Sequence, residues 1–216
     1  MKRIWSLCCL LILPFVHAQE QVQDVFQFPV KLSQNDTLKA ISARLRQIQV
    51  LRAAFSQTKK IKALRRPLKS SGQFLFATDQ GVLWQTQKPF PSTFVITPKG
   101  IQQRSEHSEP LTIAVDERPI IGGFTRVFLS LFSGDTSELE DRFKLYVSGD
   151  ADNWTIGLEP EKKVMSRLIS RIVMRGDSHI SEIYFFETSG DTTRIAFEAV
   201  VTEEPLSEEE RQRFAF

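Results

Sequence analysis

Cysteine is all but missing: the chain has two, Cys8 and Cys9, and both fall within its first eighteen residues. That stretch, MKRIWSLCCLLILPFVHA, carries a Lys2-Arg3 head, an apolar run from Ile4 to Val16, and Val16 and Ala18 spaced as a signal-peptidase site requires. It reads as a signal peptide over residues 1–18, because the run falls short of the ~20 residues that cross a bilayer and Pro14 sits near its end. No small residue stands directly ahead of Cys8, as a lipid-attachment site would need. The mature chain, 19–216, is then free of cysteine and is expected to be one exported domain. Its stability must come from a hydrophobic core rather than disulfides.

Histidine is scarce too, and His17 leaves with the signal, so only His107 and His179 remain. There is no Gly-x-Ser-x-Gly elbow, no thiol nucleophile, no His-x-x-x-His or cysteine pair, and no Gly-rich phosphate loop. The nearest thing to a triad is Asp177-Ser178-His179 beside a predicted hairpin turn. Adjacent strand residues point to opposite faces, which argues against convergence. GDADNW places Asp150, Asp152 and Glu161 at calcium-loop spacing, but Thr155 stands where that loop requires Gly, and the stretch reads as a hairpin turn. The sequence therefore predicts no catalytic residue, no metal site, no cofactor and no enzyme.

An excess of one charge is also lacking. Without Lys2 and Arg3, 26 basic residues face 26 acidic ones, which removes any global argument for nucleic acid. Locally the balance shifts: EEPLSEEE (Glu203 to Glu210) is acidic and KKIKALRRPLK is basic. The basic run has two readings, a solvated loop or a docking surface. In the second, Lys59, Lys60, Lys62, Arg65, Arg66 and Lys69 meet anionic headgroups or an acidic patch on a partner.

What is abundant is apolar bulk, with seventeen phenylalanines, sixteen of them after Ala18. Leu38, Ile41, Leu45 and Ile48 recur at helical spacing behind a cap at Asn35 or Asp36. From Leu51 the period shifts, so that Ala53, Phe55, Gln57 and Lys59 share one side of an extended segment. Strands are predicted near 70–78, 81–87, 93–97, 144–148, 154–159, 168–175, 180–187 and 193–202. Phe74 and Phe76 project to one side of their strand and Leu75 and Ala77 to the other, so both faces need cover. PIIGGFTRVFLSLF, from Pro119 to Phe132, is apolar almost all round and predicts a buried helix or one that covers a hollow. The Gly-Asp pairs at 149, 176 and 190 separate consecutive strands as hairpin turns, and Ser207 with Glu210 caps a short terminal helix. Many strands joined by short turns favour a large curled antiparallel sheet or barrel. If incompletely closed, its lining must be filled, and an acyl chain gaining ~0.8 kcal/mol per methylene would suffice.

Several segments, in order, resemble the lipoprotein carriers of the LolA type, specifically their divergent LolA-like branch. They are Phe55-Ser56-Gln57 after the first helix, SSGQFLFA (Ser70 to Ala77), GVLWQTQKPFPSTFVITPKGI (Gly81 to Ile101) and LFSGD (Leu131 to Asp135). The resemblance implies a mainly β fold with helices (α+β): an incomplete antiparallel β-barrel covered by helices. It also implies a monomeric periplasmic carrier that holds acyl chains of a lipidated protein or glycolipid, or of an aryl polyene lipid. Cargo would pass from an inner-membrane exporter to an outer-membrane acceptor. Aligned so, Phe74, Phe76, Val82, Trp84, Phe94 and Ile96 face inward, and Phe124, Phe128 and Phe132 cover the cavity. The family's lid-tying arginine falls on Thr78, a departure that bears on the cargo cycle. Related folds sense envelope stress, so the alternative is a sensor or assembly module that binds envelope lipids or a membrane-protein partner.

Overall fold

The protein's structure, a computed structural model, describes residues 24–105, 108–114, 119–202 and 204–215. The predicted signal segment lies outside them. Eleven antiparallel strands form one sheet: β1 (Val50–Lys60), β2 (Leu68–Ala77), β3 (Gly81–Lys88), β4 (Ser92–Thr97), β5 (Gly100–Ser105), β6 (Ser108–Ala114), β7 (Phe143–Gly149), β8 (Trp154–Pro160), β9 (Ile169–Gly176), β10 (Ile180–Glu187) and β11 (Thr192–Val201). Their order is β6-β5-β4-β3-β2-β1-β11-β10-β9-β8-β7, so the sheet is open, with β6 and β7 as its edges. The central pairing of β1 with β11 joins two meanders that the chain builds far apart in sequence.

Among the described residues five α-helices accompany the sheet: α1 (Asp36–Leu45), α2 (Pro119–Ser133), α3 (Thr136–Glu140), α4 (Lys163–Ser166) and α5 (Glu208–Arg213). Asn35, not Asp36, caps α1, its Oδ1 accepting from the Leu38 N–H at 2.8 Å. Leu38, Ile41 and Leu45 bury the predicted stripe; Ile48 lies past the helix end but joins the same core. Strands β5 and β6 stand beyond the expected set. In GIQQRS and SEPLTIA few side chains reach the core, because these strands lie at an edge where polar residues meet water on one side.

Both sheet faces are covered, as the mixed alternation requires. The concave face carries the main core, with Phe55, Phe74, Phe197, Leu158 and Ile183 under α1 and α2. On the convex face, Leu206 and Phe214 from the tail close over Val50, Leu75, Leu83 and Val95. Arg52 fastens that tail with a two-point bond to Glu210 (2.8 and 2.6 Å) and donates to the carbonyls of Glu204 and Pro205. The Ser207–Glu210 capping box forms as predicted. Farther round, Val25 and Phe26 lie on Tyr146 and Val173. Gly157 makes room for them, since a Cβ there would stand 2.8 Å from the Phe26 ring. Gly72 sits where the β2–β3 register slips, and its Cβ would fall 1.9 Å from the Gln85 carbonyl oxygen, so the strand bends there only because the residue is glycine.

Strand register also defines two ends. Lys59 pairs with Leu68, Ser71 with Lys88, Lys60 with Thr192, and Glu187 with Ile169. The β1–β2, β3–β4 and β10–β11 loops and the α4 crossover therefore share one end, here called the mouth. Turns β2–β3, β7–β8 and β9–β10 share the other.

Candidate functional site

The concave interior has a filled half and a hollow half. Toward the far end five rings interlock: Trp84 on Phe55 with centroids 4.2 Å apart, Phe74 on Phe132 at 4.7 Å, and Phe74 on Phe197 at 4.9 Å. Such a cluster gains dispersion and edge-to-face attraction beyond its area burial, and it leaves no space for a ligand. On the mouth side of this plug lies an open cavity of about 400 Å³, lined by β1, β3, β4, β9, β10, β11 and α2. That volume is within the range of small-molecule sites. Its walls are Trp84, Phe94, Ile96, Phe128, Ile169, Phe185 and Ile195, and its polar members are Gln57, Lys59, Glu187 and Thr193.

The expected lining residues thus divide. Register puts Phe74 opposite Trp84, Phe76 opposite Val82, Val82 opposite Ile96 and Trp84 opposite Phe94, so all six lie on the concave face. Trp84, Phe94 and Ile96, with Phe128 from α2, border the hollow. Phe74, Phe76, Val82 and Phe132 instead belong to the packed core, each at 3% exposure or less, because the rings of α2 and β11 fill the space in front of them. The Phe124 side chain lies outside the described residues. Local pattern missed the wall from β9, β10 and β11. Its signal was the shared face of Ile183, Phe185 and Glu187 and of Thr193, Ile195 and Phe197, but only the β1–β11 pairing brings that face opposite Trp84.

Polarity is graded along the strands. On β1 the inward series Phe55, Gln57, Lys59 runs from the plug to the mouth, and on β11 Phe197, Ile195, Thr193 does the same. Lys59 therefore parts company with the rest of the basic run: its Nζ lies 2.7 Å from Glu187 Oε1 inside the mouth, both side chains about two-thirds buried or more. Lys60, Lys62, Arg65, Arg66 and Lys69 are exposed on the β1–β2 hairpin. The pair keeps the mouth polar without net charge, while the wall beyond it is apolar.

Helix α2 forms the cavity's cover. At its C-terminal end the Gly134 carbonyl accepts from the buried Ser42 hydroxyl at 2.7 Å and from Arg46 Nε at 3.1 Å, both on or just after α1. These donors satisfy a carbonyl that the helix leaves free, and they place positive charge at its negative end. Thr78 does not reach the helix; its hydroxyl donates to Ile48 and Gln49 carbonyls where α1 leads into β1.

The two turn motifs behave differently from each other. Asp150 Oδ1 accepts from the Asp152 and Asn153 N–H groups, making the expected hairpin turn between β7 and β8. Asp177, Ser178 and His179 do converge, correcting the strand-based expectation, because they form the turn itself. Ser178 Oγ lies 3.1 Å from Asp177 Oδ1 and 3.0 Å from His179 Nδ1. However, Asp177 approaches that same imidazole nitrogen at 3.5 Å, so the carboxylate and hydroxyl do not sit on opposite nitrogens as a relay requires.

An open antiparallel sheet curled around a helix-covered apolar cavity is the architecture of lipid- and lipoprotein-binding carriers. The chain matches the model of the family described as outer membrane lipoprotein carrier protein LolA over residues 46–214, and it belongs to that family. No curated protein matches it in a sequence comparison. Among solved structures, MucB is 12% identical with a TM-score of 0.50, over 86% of this chain and 64% of MucB. The complex of Pseudomonas aeruginosa MucA and MucB matches at 11% identity and TM-score 0.43, over 82% of this chain and 59% of that one. A LolA superfamily protein from Nitrosomonas europaea is 7% identical at TM-score 0.41, over 79% of this chain and 96% of its own. At such identities the likeness speaks to fold alone.

Proposed function

We propose that the protein is a periplasmic carrier that shields one acyl chain of a lipidated client, a lipoprotein or a glycolipid-type product, during transfer toward the outer membrane, without covalent chemistry. The observation that carries this reading is the roughly 400 Å³ apolar hollow open at one end of the sheet, in a chain of the lipoprotein-carrier family. At ~30 Å³ per heavy atom, the liquid share of a water, it holds about thirteen atoms, the scale of one fatty chain. The graded wall suits an amphiphile with its tail against Trp84 and its polar end among Gln57, Thr193 and the Lys59–Glu187 pair.

Residues 19–216, titrated with a dibrominated fatty acid, test the proposal. Quenching of Trp84 should saturate near one chain per protein, while Trp154, buried with its indole N–H on the Asp177 carbonyl, should quench little. Absence of quenching, together with native mass spectra that reveal no bound lipid on protein taken from its host, would refute the reading. The second reading, a sensor or assembly module gripping a membrane protein, draws on the likeness to MucB, which has been solved with MucA. Stable co-purification with a membrane protein's periplasmic domain, without lipid, would favour it.

A further inference from the structure

We propose that the mouth end of the sheet is a docking surface for anionic lipid bilayers. Among the described residues eight large apolar side chains are exposed, and five of them, Leu64, Leu68, Phe90, Val164 and Leu168, lie on loops or strand ends at the mouth. They come from three separate stretches of chain, the β1–β2 hairpin, the β3–β4 turn and the α4 crossover, so no single local pattern accounts for them. Phe90 stands out at 80% exposure between Pro89 and Pro91, whose rings fix the backbone on either side and disfavour a helical fold-back of the phenylalanine.

Cations alternate with these side chains. Arg65, Arg66 and Lys69 flank Leu64 and Leu68, Lys88 precedes Phe90 by two residues, and Lys163 and Arg167 adjoin Val164 and Leu168. All six are exposed, and among the described residues none has an acidic partner within ion-pair distance. At the mouth, by contrast, Glu187 is taken up by Lys59, and Asp191 accepts from the Lys62 N–H. At the opposite end the turn carboxylates of Asp79 and Asp152 are likewise paired, with Arg211 and Arg44. Six exposed cations without an ion-pair partner among the described residues therefore gather where the cavity opens, alongside the exposed Glu109, Asp141 and Glu161.

Apolar tips with interleaved lysine and arginine match a bilayer surface whose acyl boundary accepts the tips and whose anionic headgroups accept the cations. An acidic protein surface would satisfy the charges but would leave Phe90 and Leu64 in water unless it also offered hydrophobic pockets. Docked this way, the mouth opens onto the leaflet, so a chain could pass between membrane and cavity without crossing water. The inference rests on the acyl-chain reading for what docking accomplishes, and its test is separate from that reading.

The test is cosedimentation of residues 19–216 with vesicles of phosphatidylcholine alone or mixed with phosphatidylglycerol. Binding should require phosphatidylglycerol and weaken with salt. Arg65→Gln and Arg66→Gln should each lower it about fivefold, the effect of one cation near an anionic surface. Phe90→Ser should lower it at least as much, while quenching of Trp84 by a soluble dibrominated fatty acid stays unchanged in all three variants. Failure of the wild type to sediment with phosphatidylglycerol vesicles, equal binding to neutral ones, or indifference to both the arginine and the Phe90 changes would overturn the proposal. Vesicle binding without quenching would strike the cavity reading alone.

Discussion

Phe94→Glu places a carboxylate on the cavity wall beside Trp84 while sparing the plug of rings behind it. Phe94 is half-buried, so its loss removes part of one aromatic side chain's burial, about 1–2 kcal/mol of stability, and the carboxylate can hydrate through the mouth when the cavity is empty. A bound acyl chain would expel that water. The carboxylate must then take up a proton, which from an ordinary value near 4.3 costs about 4 kcal/mol at pH 7.5. The gross gain from burying about thirteen methylenes is only ~10 kcal/mol before entropy costs, so a loss of this size is decisive. Affinity measured by Trp84 quenching should fall at least a hundredfold at pH 7.5. It should recover nearly tenfold for each pH unit down to about 5.5, because the protonation cost shrinks as the pH approaches the group's own value. Wild type should have no such slope, and thermal unfolding should find the variant folded. Phe76→Glu is the contrast: at 2% exposure inside the packed core its carboxylate has no route to water, and the chain should fail to fold. Phe94→Glu binding within threefold of wild type, or with no pH dependence, would refute the assignment of the wall.

Other tests bear on the parts that hold the cavity in place. The two-point bond from Arg52 and the backbone N–H of Ser207 hold Glu210 down to about 2 from its ordinary 4.5, so this contribution is complete above pH 4.5 and is lost as pH falls from there toward 2. Glu210→Gln should remove roughly 2–3 kcal/mol at neutral pH, and urea titrations at pH 7 and pH 3 should find the wild type's advantage over it cut to less than half at the lower pH. Thr125 in α2 is fully buried and its hydroxyl has no hydrogen-bond partner among the described residues, so Thr125→Val should stabilise by about 1 kcal/mol, raising Tm by about 2–4 °C in calorimetry. Ser42→Ala with Arg46→Ala strips both donors from Gly134, and amide exchange in the last turn of α2 should accelerate well beyond that in β1.

Local pattern made the elements legible wherever a face had to be buried. The helical stripe from Leu38 to Leu45, the unbroken apolar surface of α2 and the alternation around Phe74 and Phe76 each encode burial directly, and the Ser207–Glu210 box encodes its own cap. Strands β5 and β6 escaped notice because an edge strand with one wet face needs few large apolar residues. The cavity was only half legible for a different reason. Alternation tells which side of a strand faces inward, but inward residues meet either another side chain or a void, and which one they meet depends on what arrives from across the sheet. Phe74 meets Phe132 and Phe197, and Phe76 meets Phe132, whereas Phe94 and Ile96 border the hollow together with Ile169, Phe185 and Ile195 from β9, β10 and β11. Long-range pairing decides that difference. Lys59 makes the same point on the polar side. Within the basic run it is one cation among several, and strand parity turns it inward with Phe55 and Gln57, but its ion partner lies 128 positions along the chain, on β10. The Thr78 departure is likewise resolved only in three dimensions. Its side chain stops at the α1–β1 junction, and it is Ser42 and Arg46 that donate to the carbonyl at the end of the cover helix.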